Sequence, residues 1–559
     1  MQYSIEYEKV LNPLQLRVVK EGDGYSLVLA GAGSGKTRVL VYRLAYLLAQ
    51  GIPPPQILLL TFTNKAAREM LSRAAALVGR DYHTLWGGTF HHMANKILRR
   101  EASRLGFTPD FTILDRGDSE DLVAECAKQQ FLVKDPSVPK PELIEQIIGF
   151  SVNAQRPVED IIAARYEYLN EYAEHIAEIA ARYRQRKLKG NLMDFDDLLY
   201  YWNEVLNDAD VRERYAGQFR FILVDEHQDT NKIQFEILRK LSSVHQNLLV
   251  VGDDAQSIYS FRAADIRNIL DFPKLFKDTK IFPLTINYRS TPQILGFANQ
   301  SILHNKGQFS KELSAVNPAG DLPQVVKTQD VYQQAEWCVR TVDHLVARGL
   351  ALHRIAVLFR SRYHAVETEM ALVRQGIPYI IRGGVRFFEQ AHIKDVVAYL
   401  KMRGNPRDEI AFKRVMKLQR GISTGYAEKI WQRVQNGDSF SAIVTTLPAR
   451  AREGFNQFLK VYQRIETLDD PAQIISVVLE QFYTEYGKLT FDDYQDRMLE
   501  LEELAKVAEQ FGTLKNFLAD LSTYENFKGE KATGTVAPHD VLVLSTIHQA
   551  KGLEWDAVL

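Results

Sequence analysis

Cysteine is nearly absent. Cys126 and Cys338 are the only two in 559 residues. That argues against a disulfide scaffold and a Cys-rich zinc site, and it fits a reducing cytosol. Long apolar runs are missing too. No stretch approaches ~20 uncharged apolar residues, so no membrane span and no membrane partner are expected. The opening Met1-Gln2-Tyr3-Ser4-Ile5-Glu6 has no signal-peptide character, and a cytoplasmic location is expected. Net charge is close to nil: 69 Lys and Arg against 70 Asp and Glu give −1. Bulk charge therefore does not announce a nucleic-acid partner, and any such site must be a local groove. Low-complexity tracts, long Gly/Ser linkers and short-period repeats are also lacking. What remains is 46% hydrophobic and 25% charged residues, a globular composition. The chain is too long for one hydrophobic core, so several domains are expected.

Short apolar runs end repeatedly in polar, Gly-rich or acidic turns: Ser26–Ala30, Gln56–Thr61, Phe221–Val224 and Leu248–Val251. Continuous apolar strands without alternation predict a parallel sheet covered by helices on both faces. Such sheets place ligands beyond the carboxyl ends of their strands. A second set, Lys280–Leu284, Ile355–Phe359 and Val541–Leu544, predicts a second α/β core. Residues 93–196 and 380–539 read mostly as helix and look like insertions into the two cores.

The strongest local pattern is Ala30-Gly31-Ala32-Gly33-Ser34-Gly35-Lys36-Thr37, followed by Arg38 and an apolar-periodic helix to about Gln50. Glycines let backbone N–H groups turn inward around phosphate oxygens, and the helix N-terminus adds its partial positive charge. In such loops Lys36 reaches the β- and γ-phosphates, while the Thr37 hydroxyl ligates magnesium. Asp225-Glu226 ends the Phe221–Val224 run. Asp225 suits a second magnesium ligand and Glu226 suits the base that activates water. The cofactors expected are ATP and Mg2+.

Several further stretches resemble the UvrD/Rep/PcrA family of superfamily I DNA helicases. Asp225-Glu226-His227-Gln228-Asp229-Thr230 resembles the family's motif II, with His227 where Phe is usual. Val251 to Arg262, reading VGDDAQSIYSFR, resembles motif III, with Phe261 where Trp is usual. Thr61–Ala67 resembles motif Ia, Gly88–His91 motif Ib, Leu11–Gln15 the Q motif, Asn287–Ser290 motif IV and Thr546–Glu554 motif V. They follow the family's order.

The resemblance implies an α/β fold of two RecA-like parallel-sheet P-loop cores, each with a largely helical insertion. The expected parts are 1A (1–92 and 197–279), 1B (93–196), 2A (280–379 and 540–559) and 2B (380–539), with Gly383–Glu389 leading into 2B. It also implies roles. Gln15 reads adenine, Tyr288 stacks on it, and Glu554 joins the nucleotide contacts. Gln256 senses the γ-phosphate, and Arg289 is a finger offered by the second core. Phe62, Asn64, Phe90, His91, Tyr259 and Phe261 face single-stranded DNA. The basic run Arg182–Lys189 reads as a solvated helix face. The family places a motif VI after motif V, whereas this sequence stops at Leu559, so an incomplete second core is expected.

The implied activity is 3′→5′ movement on single-stranded DNA and unwinding at single/double-strand junctions, in repair or replication. Two alternatives stand beside it. One is the motor subunit of a RecB/AddA-like helicase–nuclease, and the other is a DNA-binding clamp that uses ATP only as a switch.

Overall fold

The computed structural model describes residues 5–79, 84–128, 138–382, 387, 390–406, 408–518, 521 and 541–559. The expected lead into 2B at 383–389 lies, apart from Phe387, outside the described residues. The chain divides into two compact units. One is Met1–Cys126 with Glu145–Val325; the other is Ala127–Ile144 with Val326–Leu559.

The first unit is built on a six-stranded parallel sheet. Its spatial order is Trp86–Thr89, Ile57–Thr61, Phe221–Val224, Leu248–Gly252, Tyr25–Ala30 and Lys280–Leu284. The interior strands read as unbroken apolar runs because both faces are covered. Successive side chains point to opposite faces, and the two cores divide accordingly. Leu27, Leu29, Leu58 and Leu60 join Phe90, Trp202 and Tyr215 on one face. Val28, Ala30, Ile57 and Leu59 join Val39, Leu40, Leu44 and Leu47 on the other. The latter four come from helix Lys36–Ala49, whose apolar stripe at helical spacing seats it on the sheet. Each such side chain, fully buried, contributes roughly 1.5–3 kcal/mol.

Lys280–Leu284 corrects one expectation. It belongs to the first sheet, paired in parallel with Tyr25–Ala30, and not to the second core. Its alternating burial is the reason. Phe282 and Leu284 point into the core while Ile281 is 43% exposed. Pro283, lacking an N–H, is tolerated on an edge strand.

The second unit has a four-stranded parallel sheet in the order Tyr379–Arg382, Leu542–Thr546, Ile355–Phe359 and Ala557–Val558. Helices Val331–Ala347 and Val366–Arg374 add Val339, Val342 and Leu372 to its core. The remainder, from Ala391 to Glu509, is helical. It packs around Tyr399, Phe412, Trp431, Phe455 and Phe458. Both sheets are thus parallel, with helices between their strands in sequence, the α/β class expected. Among the described residues no helix is long and apolar enough to cross a membrane.

Candidate nucleotide site and its aromatic neighbour

The carboxyl ends of three strands of the first sheet carry the expected chemistry. After Tyr25–Ala30 the chain turns through Gly33 (φ +68°) and Gly35 (φ +87°), and helix Lys36–Ala49 starts at once. A side chain disfavours those left-handed angles, and at Gly33 there is no room either. A Cβ there would lie 2.6 Å from the Arg289 Cβ and 2.9 Å from Asn287 Nδ2. The loop is held from inside by Ser34 Oγ, which donates to the Gly31 carbonyl at 2.7 Å.

From outside it is held by two segments. Gln15 is buried and donates from Nε2 to the Ser34 carbonyl at 3.1 Å, while its Oε1 accepts from Asn12 N–H at 3.3 Å. Asn287 donates from Nδ2 to the Ala32 carbonyl at 2.6 Å, and Tyr288 N–H donates to Gly33 at 2.9 Å. Gln15 therefore braces the loop as well as lying beside it. The half-exposed Tyr288 ring accepts from Asn12 Nδ2 through its hydroxyl. Arg38 donates to the Val10 carbonyl at 2.6 Å and pins the segment before the Gln15 helix.

The Asn287–Ser290 turn follows directly from the edge strand. Asn287 Oδ1 accepts from Arg289 N–H at 2.9 Å and from Ser290 N–H at 2.8 Å. Arg289 thus sits beside the Gly-rich loop, in the same compact unit as that loop. Glu554 belongs to the second unit, exposed ahead of Ala557–Val558.

At the end of Phe221–Val224, Glu226 adopts a left-handed conformation (φ +49°, ψ +45°). A glutamate held there is strained, and strain of this kind concentrates at functional sites. The conformation leaves Glu226 Oε2 3.8 Å from Lys36 Nζ. Burial and the neighbouring Glu226 charge raise the Asp225 pKa to about 7, against the pull of Lys36. Its Oδ1 is buried and accepts no hydrogen bond. An orphaned carboxylate oxygen at this strand end and the Thr37 hydroxyl in the first turn of helix Lys36–Ala49 are the hard oxygen donors that suit magnesium, whose charge would reverse that upward shift.

No separate role for Gln228 is legible in the sequence, yet it is the hub of this region. It is fully buried. Its Nε2 donates to Glu226 Oε2 and to Asp229 Oδ2, and its Oε1 accepts from Asp253 N–H at 2.9 Å. Gln256 in turn donates to Asp253 Oδ2 at 2.6 Å. Only its place inside the DEHQD pattern hinted at Gln228. Its partners lie in the segments that follow two paired strands, Phe221–Val224 and Leu248–Gly252, and come together through the sheet order.

His227 is buried and neutral. Burial lowers its pKa to about 4, and its Nε2 faces the Asn268 carbonyl at 3.2 Å while Phe272 packs edge-on at 5.6 Å. A histidine whose folded pKa lies below the unfolded ~6.5 removes stability as pH falls from that value toward 4. His227→Phe should remove this component, which is on the order of 2–3 kcal/mol between pH 7 and pH 4. Thermal midpoints against pH check it. The wild-type midpoint should fall relative to the variant's as pH drops from about 6.5 to 4, and parallel curves would refute a buried neutral imidazole.

Three of the residues expected to face single-stranded DNA come together. Phe62 stacks on Tyr259 at 5.4 Å and 16°, and Tyr259 meets Phe261 at 5.8 Å. Phe62 and Phe261 are 43% and 47% exposed. The Arg262 guanidinium lies 5.6 and 5.7 Å from the Tyr259 and Phe261 rings and puts positive charge at the cluster. Asn64 opens the helix Asn64–Val78 and is exposed.

Phe90 is a correction. It is 6% exposed, packs against Trp202 in the sheet core and offers no face to a base. As the first residue of a helix capped by Thr89, it points back onto the sheet. His91 lies against Phe195, a 56% exposed ring that sequence reading passed over. The basic run is a solvated helix face at Arg184, Gln185, Arg186, Leu188 and Lys189, as expected, with Lys187 the exception among its cations. Lys187 is buried against Asp194 and Asp197 at 2.5 and 2.6 Å and is unavailable to phosphates.

Phe261→Ala should weaken single-strand affinity by about 1–3 kcal/mol, the contribution of one stacked base. Because the ring is half exposed, thermal stability should change little. Fluorescence anisotropy with a short oligonucleotide reads the first quantity, and unchanged affinity would remove Phe261 from the interface.

A phosphate-cradling loop, a strand-end Asp-Glu pair and a third strand-end carrying the Asp253–Gln256 hydrogen bond define a P-loop ATPase of the RecA-like class. Comparison with known proteins narrows this further. Residues 11–277 match the UvrD/REP helicase N-terminal domain, and residues 282–559 match the UvrD-like helicase C-terminal domain. The chain belongs to the UvrD/REP helicase family and is an ATP-hydrolysing enzyme. The ATP-dependent DNA helicase PcrA of Bacillus subtilis is 34% identical over 574 residues, 98% of this chain and 76% of the relative. The ATP-dependent DNA helicase PcrA of Staphylococcus epidermidis is 33% identical over 574 residues, 98% and 77% of the two chains. That of Staphylococcus aureus is 32% identical over 572 residues, again 98% and 77%.

Proposed function

We propose that this helicase couples magnesium-dependent ATP hydrolysis to 3′→5′ movement along single-stranded DNA and unwinds duplexes at single/double-strand junctions, in DNA repair or replication in the cytoplasm. The observation that carries the reading is the continuous chain from phosphate loop to aromatics. Lys36 faces Glu226, Glu226 accepts from Gln228, Gln228 holds Asp253, and Asp253 holds Gln256. Tyr259 and Phe261 follow on the same segment, with Tyr259 stacked on Phe62 and Phe261 tilted against Tyr259.

In this reading residues 30–38 hold the triphosphate, with Lys36 on the β- and γ-phosphates. Thr37 and Asp225 hold magnesium, which when bound neutralises charge developing on the γ-phosphate. Glu226 orients and deprotonates the attacking water. Gln256 reports the γ-phosphate to the aromatic segment. Arg289, set beside Gly33, stabilises the charge that builds during transfer. Tyr288 and Gln15 serve the adenine side, and Glu554 remains a proposed nucleotide contact. Phe62, Asn64, His91, Tyr259 and Phe261 hold the strand. The fourfold division into 1A, 1B, 2A and 2B remains the proposed organisation, with strand 280–284 placed in 1A. Opening one base pair costs about 1.4 kcal/mol, so one hydrolysis per step is sufficient coupling.

Strand displacement tests this directly, on short duplexes bearing either a 3′ or a 5′ single-stranded tail. With ATP and magnesium the 3′-tailed substrate should be unwound, chelation should abolish unwinding, and added magnesium should restore it. Preferential unwinding of the 5′-tailed duplex would overturn the direction. DNA-stimulated hydrolysis with neither duplex opened would overturn the helicase reading in favour of a switch.

A further inference from the structure

Lys311 lies well outside the sequence motifs, yet it is buried against the end of strand Leu248–Gly252. Its ammonium bridges the Asp253 Oδ1, at 2.5 Å, and the Asp254 Oδ1. All three side chains are at most 6% exposed. Burial alone would lower the Lys311 pKa, but Asp253 and Asp254 outweigh it and raise it. One cation between two buried carboxylates is costly to assemble and is kept only where the geometry is closely satisfied. Here it is: Asp254 Oδ2 also accepts from Phe309 N–H at 2.9 Å, and Asp253 Oδ1 from Ala255 N–H at 3.2 Å.

The remaining Asp253 oxygen, Oδ2, holds the Gln256 amide. The direction in which Gln256 points is therefore set by a carboxylate whose other oxygen is fixed by Lys311. The segment that brings Lys311 here is anchored at the phosphate loop too. Leu313 covers Gly31, where a Cβ would meet its methyl carbons at 2.6 Å. Ser314–Ala315 pairs in parallel with Ile286–Asn287, with only Tyr288 between that pair and Arg289. Residues 309–315 thus form a clip touching the Gln256 segment, the Gly-rich loop and the Arg289 turn.

We propose that Lys311 is a positioning residue for ATP hydrolysis, fixing Asp253 so that the Gln256 amide is aimed at the γ-phosphate in register with Arg289. This rests on the reading of Gln256 as the γ-phosphate sensor.

A double-mutant cycle in the full chain tests it, with single-strand-stimulated ATP turnover as the readout and thermal unfolding as the control for folding. Lys311→Met should lower kcat about tenfold or more while the KM for ATP stays within about threefold. In a Gln256→Ala background the same substitution should cost nothing further, because its route of action is already gone. Lys311→Arg keeps the charge but not the compact ammonium, and its kcat should fall between wild type and Lys311→Met. If Lys311→Met does not unfold cooperatively, Lys311→Arg takes its place in the cycle. Equal losses from the Lys311 substitution in both backgrounds would overturn the proposal while leaving the Gln256 role intact. Undiminished turnover in Gln256→Ala alone would overturn the sensor reading and the proposal with it.

Discussion

Glu226→Gln should lower ATP turnover by about 10²–10⁴-fold, the usual worth of a positioned base, with nucleotide affinity nearly unchanged. The substitution is isosteric. The amide oxygen can still accept from Gln228 Nε2, so the hub joining Glu226 to Asp253 survives. The left-handed backbone at 226 is unaffected by the change at the side-chain tip. The Glu226 charge also raises the Asp225 pKa. Removing it makes Asp225 easier to ionise and preserves the proposed magnesium ligand. Steady-state hydrolysis and equilibrium binding of a non-hydrolysable ATP analogue separate the two effects. Turnover within about threefold of wild type would show that another group activates the water.

Arg289→Ala should have a larger effect, about 10³–10⁵-fold in kcat, if the guanidinium stabilises charge on the transferring phosphoryl group. The loop should remain intact. The contacts that seat this turn on the Gly-rich loop come from Asn287 Nδ2 and Tyr288 N–H, and the Arg289 backbone N–H keeps its bond to Asn287 Oδ1. The Cβ that abuts Gly33 is retained in alanine. Arg289→Lys, which keeps charge without the planar fork, should recover only part of the loss. The same kinetic measurements apply. A variant that binds ATP poorly but turns it over normally would make Arg289 a binding residue and exclude it as a finger.

Gln228, Asn287 and Lys311 organise the site but were given no role from sequence. Each is a polar side chain whose meaning lies in a partner far along the chain: Gln228 with Asp253, Asn287 with Ala32, Lys311 with Asp253 and Asp254. Phe90 fails for the complementary reason. It stands in a recognisable motif, but an aromatic ring serves a core as readily as a base, and helix direction decides which.

By itself, the sequence determined the local chemistry. Glycines at 33 and 35 followed by Lys-Thr specify a phosphate cradle, because the left-handed turns and the helix start are set by neighbouring residues alone. Unbroken apolar runs specify strands of a doubly covered parallel sheet. Tertiary structure alone decided which runs share a sheet. Lys280–Leu284 pairs with Tyr25–Ala30, and that pairing delivers Arg289 to the Gly-rich loop from within the first unit. It also decided which charges are buried, since Lys187 and Lys311 read as surface lysines until their carboxylates are found. Hydrogen bonds and ion pairs act over a few ångströms of space, and chain separation carries no information about them until the sheet order brings the strands together.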